Sequence, residues 1–162
     1  MHRFLVATAL MCFAAVAVSA QTKISGTAQC GKPDPQHTIP VGDRPDHSLG
    51  VAQLKCTWTK PMEIEGAKSK DGVSTGTDDI SGNTGRAHGF HVSTMDSGDK
   101  FFVWYQGTET MKDGALVSQK GNWGFTGGSG KLKGIKGKGT YTCTASGDGS
   151  SCEVEGDYEL AK

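Results

Sequence analysis

The sequence predicts an all-β protein of one domain, and three observations carry that reading. The chain has 162 residues and 24 glycines, all of them after residue 20. Since each glycine costs roughly 1 kcal/mol in a helix interior, a helix bundle is excluded. Short alternating runs recur at the eight- to twelve-residue spacing of sandwiches and barrels, with turn residues between them. Finally, residues 21–162 are only about 29% apolar, below the roughly 45–50% of ordinary globular chains, which leaves material for one small core.

Residues 1–20 have the form of a secretory signal. Arg3 supplies the positive start, residues 4–18 the apolar run, and Val18-Ser19-Ala20 the small-residue cleavage box. Cys12 follows Met11, where a lipoprotein signal would carry a small residue, so no lipid anchor is expected. The expected mature chain, 21–162, is a secreted or periplasmic domain, a monomer or small homo-oligomer. It contains no apolar stretch of the ~18 residues a membrane helix needs. Without Arg3 it carries 16 basic and 17 acidic residues, no basic excess for counterion release, so nucleic acid is not an expected partner.

Strands are expected over residues 22–29, 49–59, 62–67, 87–95, 100–110, 115–126, 131–136, 137–145 and 152–160. Two stretches read as long loops, functional or mobile. Residues 31–48 hold Pro33, Pro35, Pro40 and Pro45 with His37 and His47, and residues 69–85 are rich in Gly, Ser, Thr and Asp, including Asp78-Asp79.

Cys30, Cys56, Cys143 and Cys152 form an even set in an oxidising compartment, with three possible pairings. Strand geometry selects one of them. A two-residue turn at Gly147-Asp148 sets Cys143 opposite Cys152 and Tyr141 opposite Val154, and aligns Ile135 with Leu160 on the same apolar face. The other face matches Lys138 with Asp157 and Lys136 with Glu159. Cys30 then pairs with Cys56 by elimination. No C-x-x-C pair favours zinc instead.

Two further hairpins are expected. An Asp113-Gly114 turn sets Trp104 opposite Trp123 and Phe102 opposite Phe125, and a loop over residues 96–99 sets His91 opposite Trp104. One face of this sheet then gathers His91, Phe102, Trp104, Trp123 and Phe125, and the other His88, Phe90, Val92, Val103 and Tyr105. We place the tryptophan face inside.

The stretch from Trp123 to Tyr141, WGFTGGSGKLKGIKGKGTY, resembles the glycine-rich motif of the allene oxide cyclase barrel superfamily, which includes the dirigent proteins. The resemblance is specific over about twenty residues. It implies an eight-stranded antiparallel β-barrel with a central apolar cavity. The residues that act in those plant proteins have no counterparts here, so the reaction stays open. Read physically, the glycines mark barrel corners, and Lys131, Lys133, Lys136 and Lys138 are solvated strand faces. A phosphate-binding loop is excluded by Phe125 and Leu132, which stand where that motif needs Gly and Ser or Thr.

No catalytic constellation emerges. His88 and His91, three apart on one strand, point to opposite faces, so no metal is expected even with His37 and His47 nearby. Ser129 lacks the second glycine of a nucleophile elbow, and Glu63, Glu65 and Glu109 show no pairing. No cofactor is expected. The leading functional expectation is a barrel that binds a small, mostly apolar ligand through His91, Phe102, Trp104, Gln106, Trp123 and Phe125, with His91 and Gln106 orienting it. The alternatives are a cyclase or isomerase acting by conformational control in that cavity, and a structural protein whose barrel is filled by its own side chains.

Overall fold

The computed structural model describes residues 21–160, and the expected signal at 1–20 lies outside them. The strands in chain order are β1 (Thr22–Cys30), β2 (Gln36–Pro40), β3 (His47–Lys60), β4 (Glu63–Ile64), β5 (Ala67–Ser81), β6 (Thr84–Met95), β7 (Lys100–Lys112), β8 (Ala115–Gly128), β9 (Lys136–Ser146) and β10 (Gly149–Glu159). One 3₁₀ turn, Gly130–Leu132, falls where a strand over 131–136 was expected. Pairing runs antiparallel through β3-β1-β10-β9-β8-β7-β6-β5 and closes through β3–β5, giving an eight-stranded barrel. The fold expected from the glycine-rich resemblance is therefore the fold found. Among the described residues, no helix is long and apolar enough to cross a membrane.

The β9–β10 hairpin has the expected register: Cys143 faces Cys152, Tyr141 faces Val154 and Lys138 faces Asp157. Gly147 takes φ 59° in its turn. A β-branched residue is strained there, so Gly147→Val is expected to lower the melting temperature through a loss of about 1 kcal/mol or more. Cys30–Cys56 and Cys143–Cys152 are the disulfides, each with Cα atoms 4.0 Å apart. They indicate an oxidising compartment. The first ties the seam where β1 meets β3 only over Thr27–Cys30 and Cys56–Lys60, interrupted by a bulge.

Both expected long loops contain strands. Residues 36–40 form β2, which lies along β3 before β1 reaches it. Residues 69–81 belong to β5, which pairs with β3 and β6 over nearly its whole length. Its alternation is hidden in the sequence because its inward positions are Ser74, Gly76 and Asp78. Small residues suffice there because a large neighbour fills the space: the Tyr105 hydroxyl lies 2.2 Å from where a Cβ on Gly76 would stand. Alternating small and large residues is how a narrow barrel fills its interior.

The other two hairpins depart from the expected register, β6–β7 by one residue and β7–β8 by one residue over Val103–Thr110 and two at Phe102. Between β6 and β7 the loop is Asp96-Ser97-Gly98, closed by Met95 N–H donating to the Asp99 carbonyl, with Gly98 at φ 87°. This three-residue turn with a left-handed glycine sets Phe90 opposite Trp104 and His91 opposite Val103. Between β7 and β8, Val117 and Thr126 are extra residues at two bulges, so Trp123 faces Tyr105 and Trp104 faces Gly124. A slip of one residue exchanges the faces of a strand. Phe102, Trp104 and Gln106 therefore point outward, and Phe101, Val103 and Tyr105 point inward with His91, Trp123 and Phe125.

The core lies mainly at one end of the barrel, where Met62, Ile64, Met95, Phe101, Leu132 and Ile135 are each no more than 2% exposed. This end holds the β3–β5 connection, the β6–β7 turn and the 3₁₀ turn. The hairpin turns of β5–β6, β7–β8 and β9–β10 are all at the other end.

Candidate functional site

Above that plug is a cavity of about 130 Å³ inside the barrel. Its wall is aromatic: Trp58, Phe101, Tyr105, Trp123 and Tyr141, with both disulfides and Val103 between them. The rings meet edge to face. Trp123 and Phe125 have centroids 5.1 Å apart, Phe101 and Phe125 5.6 Å, and Tyr105 and Tyr141 6.0 Å. Such pairs add roughly 0.5–1.5 kcal/mol each beyond burial, so the wall is a rigid packed surface. The indoles are anchored by hydrogen bonds. Trp58 Nε1 donates to Ser93 Oγ (2.8 Å), and Trp123 Nε1 to the carbonyls of Thr140 and Glu155.

Inward glycines make room for these rings. The Trp58 ring lies over Gly26 and that of Trp123 over Gly156, each with an atom 2.7 Å from where a Cβ would be. A side chain at either glycine would displace the wall.

Polar groups in the cavity are few. His91 shares a 2.8 Å hydrogen bond between its Nδ1 and Ser74 Oγ, while its Nε2 is buried without a partner. Burial alone lowers its pKa to about 4, so the imidazole is neutral at physiological pH. No carboxylate contacts it, so it has a hydroxyl partner and no acid to orient a proton relay. The Tyr141 hydroxyl is likewise buried and unpartnered, and Gln119 lies on the wall nearby.

Of the residues expected to bind ligand, His91 and Trp123 line the cavity, and Phe125 supports it by packing between Phe101 and Trp123. Trp104 and Gln106 instead line an outer groove with Lys23, Asn122, Lys138 and Asp157, which Trp123 also borders. The Trp104 ring rests on Gly124. Phe102 is on the same outer face, opposite Val92. Trp58, Phe101, Val103, Tyr105 and Tyr141 were not among the expected site residues. For Val103 and Tyr105 the one-residue slip is the reason.

The remaining histidines are dispersed. His37 is on exposed β2, His47 bridges Asp43 and Asp79, and His88 reaches Thr77 on the outer face. Among the described residues no group of three or more His, Cys, Asp or Glu side chains is arranged to hold a metal ion.

Glu109 is the unexpected inward residue. It is 8% exposed, and burial, reinforced by the charge of Asp78, raises its pKa to about 7. Between about pH 4.5 and 7 the folded chain therefore holds a proton that the unfolded chain has lost, and stability falls as pH rises through that window. Glu109→Gln is expected to gain on the parent protein between pH 5 and pH 8 by on the order of 1–2 kcal/mol, discounted because solvent reaches this end of the barrel. Thermal melts of both proteins at the two pH values test this.

These features define a disulfide-tied eight-stranded barrel, plugged at one end and holding a small aromatic cavity. The sequence matches no protein-family model and no curated protein. In structure the chain is similar to a DUF3224-family protein of unknown function from Shewanella oneidensis MR-1. The identity is 20%, covering 88% of this chain and 100% of the other, with a TM-score of 0.51. The pterocarpan synthase dirigent protein GePTS1 is similar at 11% identity over 96% of this chain and 100% of its own, with a TM-score of 0.49. A pyocyanin demethylase is similar at 13% identity over 82% and 98%, with a TM-score of 0.43. The Shewanella likeness is one of fold.

Proposed function

We propose that the protein is an extracytoplasmic binder of a small, mostly apolar molecule, exported by residues 1–20 and beginning at Gln21 when mature. The observation that carries this reading is the aromatic cavity, whose wall is held rigid although nothing from the chain fills it. Ligand sites are apolar hollows with a few placed polar groups, and His91, Ser74 and Gln119 are such groups here.

The volume limits the ligand. Drug-sized sites span roughly 300–1,000 Å³, whereas apolar cavities of about 150 Å³ hold benzene. A cavity of about 130 Å³ suits a single ring or a short branched chain. Shape and dispersion select such a ligand, and His91 orients it as a neutral hydrogen-bonding group.

Native mass spectrometry of protein purified from its own secreting cells tests the reading. A bound species of roughly one ring's mass that leaves on denaturation is the expected result. A ligand-free protein that also refuses toluene, phenol and short-chain alcohols would leave the barrel as a structural element.

A further inference from the structure

Two carboxyl groups lie inside the barrel toward the end opposite the plug. Asp78 on β5 and Glu109 on β7 both occupy inward positions. Glu109 Oε2 is buried without a hydrogen-bond partner and lies across Gly85, 2.5 Å from where a Cβ would stand. Asp78 Oδ2 leans toward Gly50 on β3. No cation compensates them from inside. On β6 their inward neighbours are Gly85 and Ala87, and on β8 Gln119 lies opposite Glu109, while Arg86, His88, Lys112 and Lys120 are exposed on the outer face. Burial raises both carboxyls, the charge of His88 on the outer face opposing it at Asp78, and the charge of Asp78 raises Glu109 further. A buried carboxyl such as Glu109, with the half-buried Asp78 beside it and no counter-charge inside, is costly to the fold and needs a reason outside stability.

A second observation points to a ligand. Tyr141 is 8% exposed, and its hydroxyl, which has no partner, reaches to Gly107, the inward residue beside Glu109. The Tyr105 hydroxyl reaches to Gly76, the inward residue beside Asp78. Each acid therefore has a tyrosine hydroxyl next to it, and the rings of the same two tyrosines form the wall of the apolar cavity. The two tyrosines thus stand between the apolar cavity and the two acids.

We propose that the site takes a small aromatic amine, its ring in the cavity and its ammonium group held by Asp78 and Glu109 beside the hydroxyls of Tyr105 and Tyr141. The inference rests on the cavity as the ligand site and adds the charge of the ligand. A desolvated ammonium gains from charge-assisted hydrogen bonds to carboxylates and to hydroxyl oxygens together. A neutral ligand of the same shape would leave the acid pair unpaired.

Calorimetric titration with 2-phenylethylamine and its neutral isostere 2-phenylethanol, at pH 8 and pH 5.5, tests it. The amine is expected to bind at least tenfold more tightly than the alcohol at pH 8. That preference should shrink at pH 5.5, where Glu109 is protonated; the facing groups are Asp78, Tyr105 and Tyr141, and the tyrosines stay neutral across the window because burial pushes both up. Glu109→Gln and Asp78→Asn should each remove most of the amine's preference over the alcohol. Equal binding of amine and alcohol overturns the amine assignment while the cavity stands. An amine preference that survives in both variants also overturns it. If neither compound binds, the cavity reading and the amine assignment fall together.

Discussion

Trp123→Ala is expected to destabilise the protein by about 3–5 kcal/mol, the range for removing a buried aromatic side chain, and Trp104→Ala by less than half as much. The two residues look equivalent in the sequence, one on each strand of a hairpin. They differ in where their rings go. Trp123 is 3% exposed, donates one indole N–H to two carbonyls and packs edge-on to Phe125 over Gly156. Removing it would open a hole beside an existing cavity and lose the indole's hydrogen bonds to two backbone carbonyls. Trp104 is outside, lying on Gly124 at the edge of the outer groove, so its loss uncovers one strand and opens no hole in the core. Chemical denaturation of the two variants reads the difference. Equal losses would mean that Trp104 is buried too and that the β7–β8 bulges are misplaced.

Loss of the Cys30–Cys56 bridge is the second large effect. The bridge closes 26 residues, and the chain-entropy relation gives ~3.5 kcal/mol, against ~2.6 kcal/mol for Cys143–Cys152 with its separation of nine. The local setting widens that gap. Cys143 and Cys152 sit in a hairpin whose register is held along its full length by a tight turn and matched faces. Cys30 and Cys56 join β1 to β3 at the shortest seam in the barrel, where β1 leaves and β2 takes its place along β3. Replacing both with Ala is therefore expected to lower the melting temperature more than the same change at Cys143 and Cys152. It should also expose the seam to proteolysis at residues 31–35, which connect β1 to β2. A larger loss from the hairpin pair would show that barrel closure does not depend on the β1–β3 seam.

What was legible in the sequence depended on how many independent cues agreed at each hairpin. For β9–β10 a two-residue turn, a cysteine pair and two matched faces all demand one register, and it is the one found. For β6–β7 the turn was read as even-numbered, although Gly98 before Asp99 marks a three-residue loop ending in a left-handed residue. For β7–β8 the bulged residues Val117 and Thr126 are ordinary strand formers, and nothing local marks them as extra. Those two slips carried Phe102, Trp104 and Gln106 to the wrong face and concealed Val103, Tyr105 and Glu109 as inward residues. The β5 strand is hard to read for a different reason: its inward positions include Gly72 and Gly76, which are covered by His91 and by the Tyr105 hydroxyl. Alternation of apolar and polar residues detects a strand that buries its own side chains, and fails for one that is covered by a neighbour's.

The most direct test of the internal cavity is a nuclear magnetic resonance titration of the ¹⁵N-labelled mature protein with toluene. Its three indole N–H groups report on different places, Trp58 on the cavity wall, Trp104 in the outer groove and Trp123 bordering both. Saturable shifts at Trp58 and Trp123, with Trp104 unmoved, are the predicted result. No shift at the solubility limit of toluene, or a shift at Trp104 alone, would contradict it.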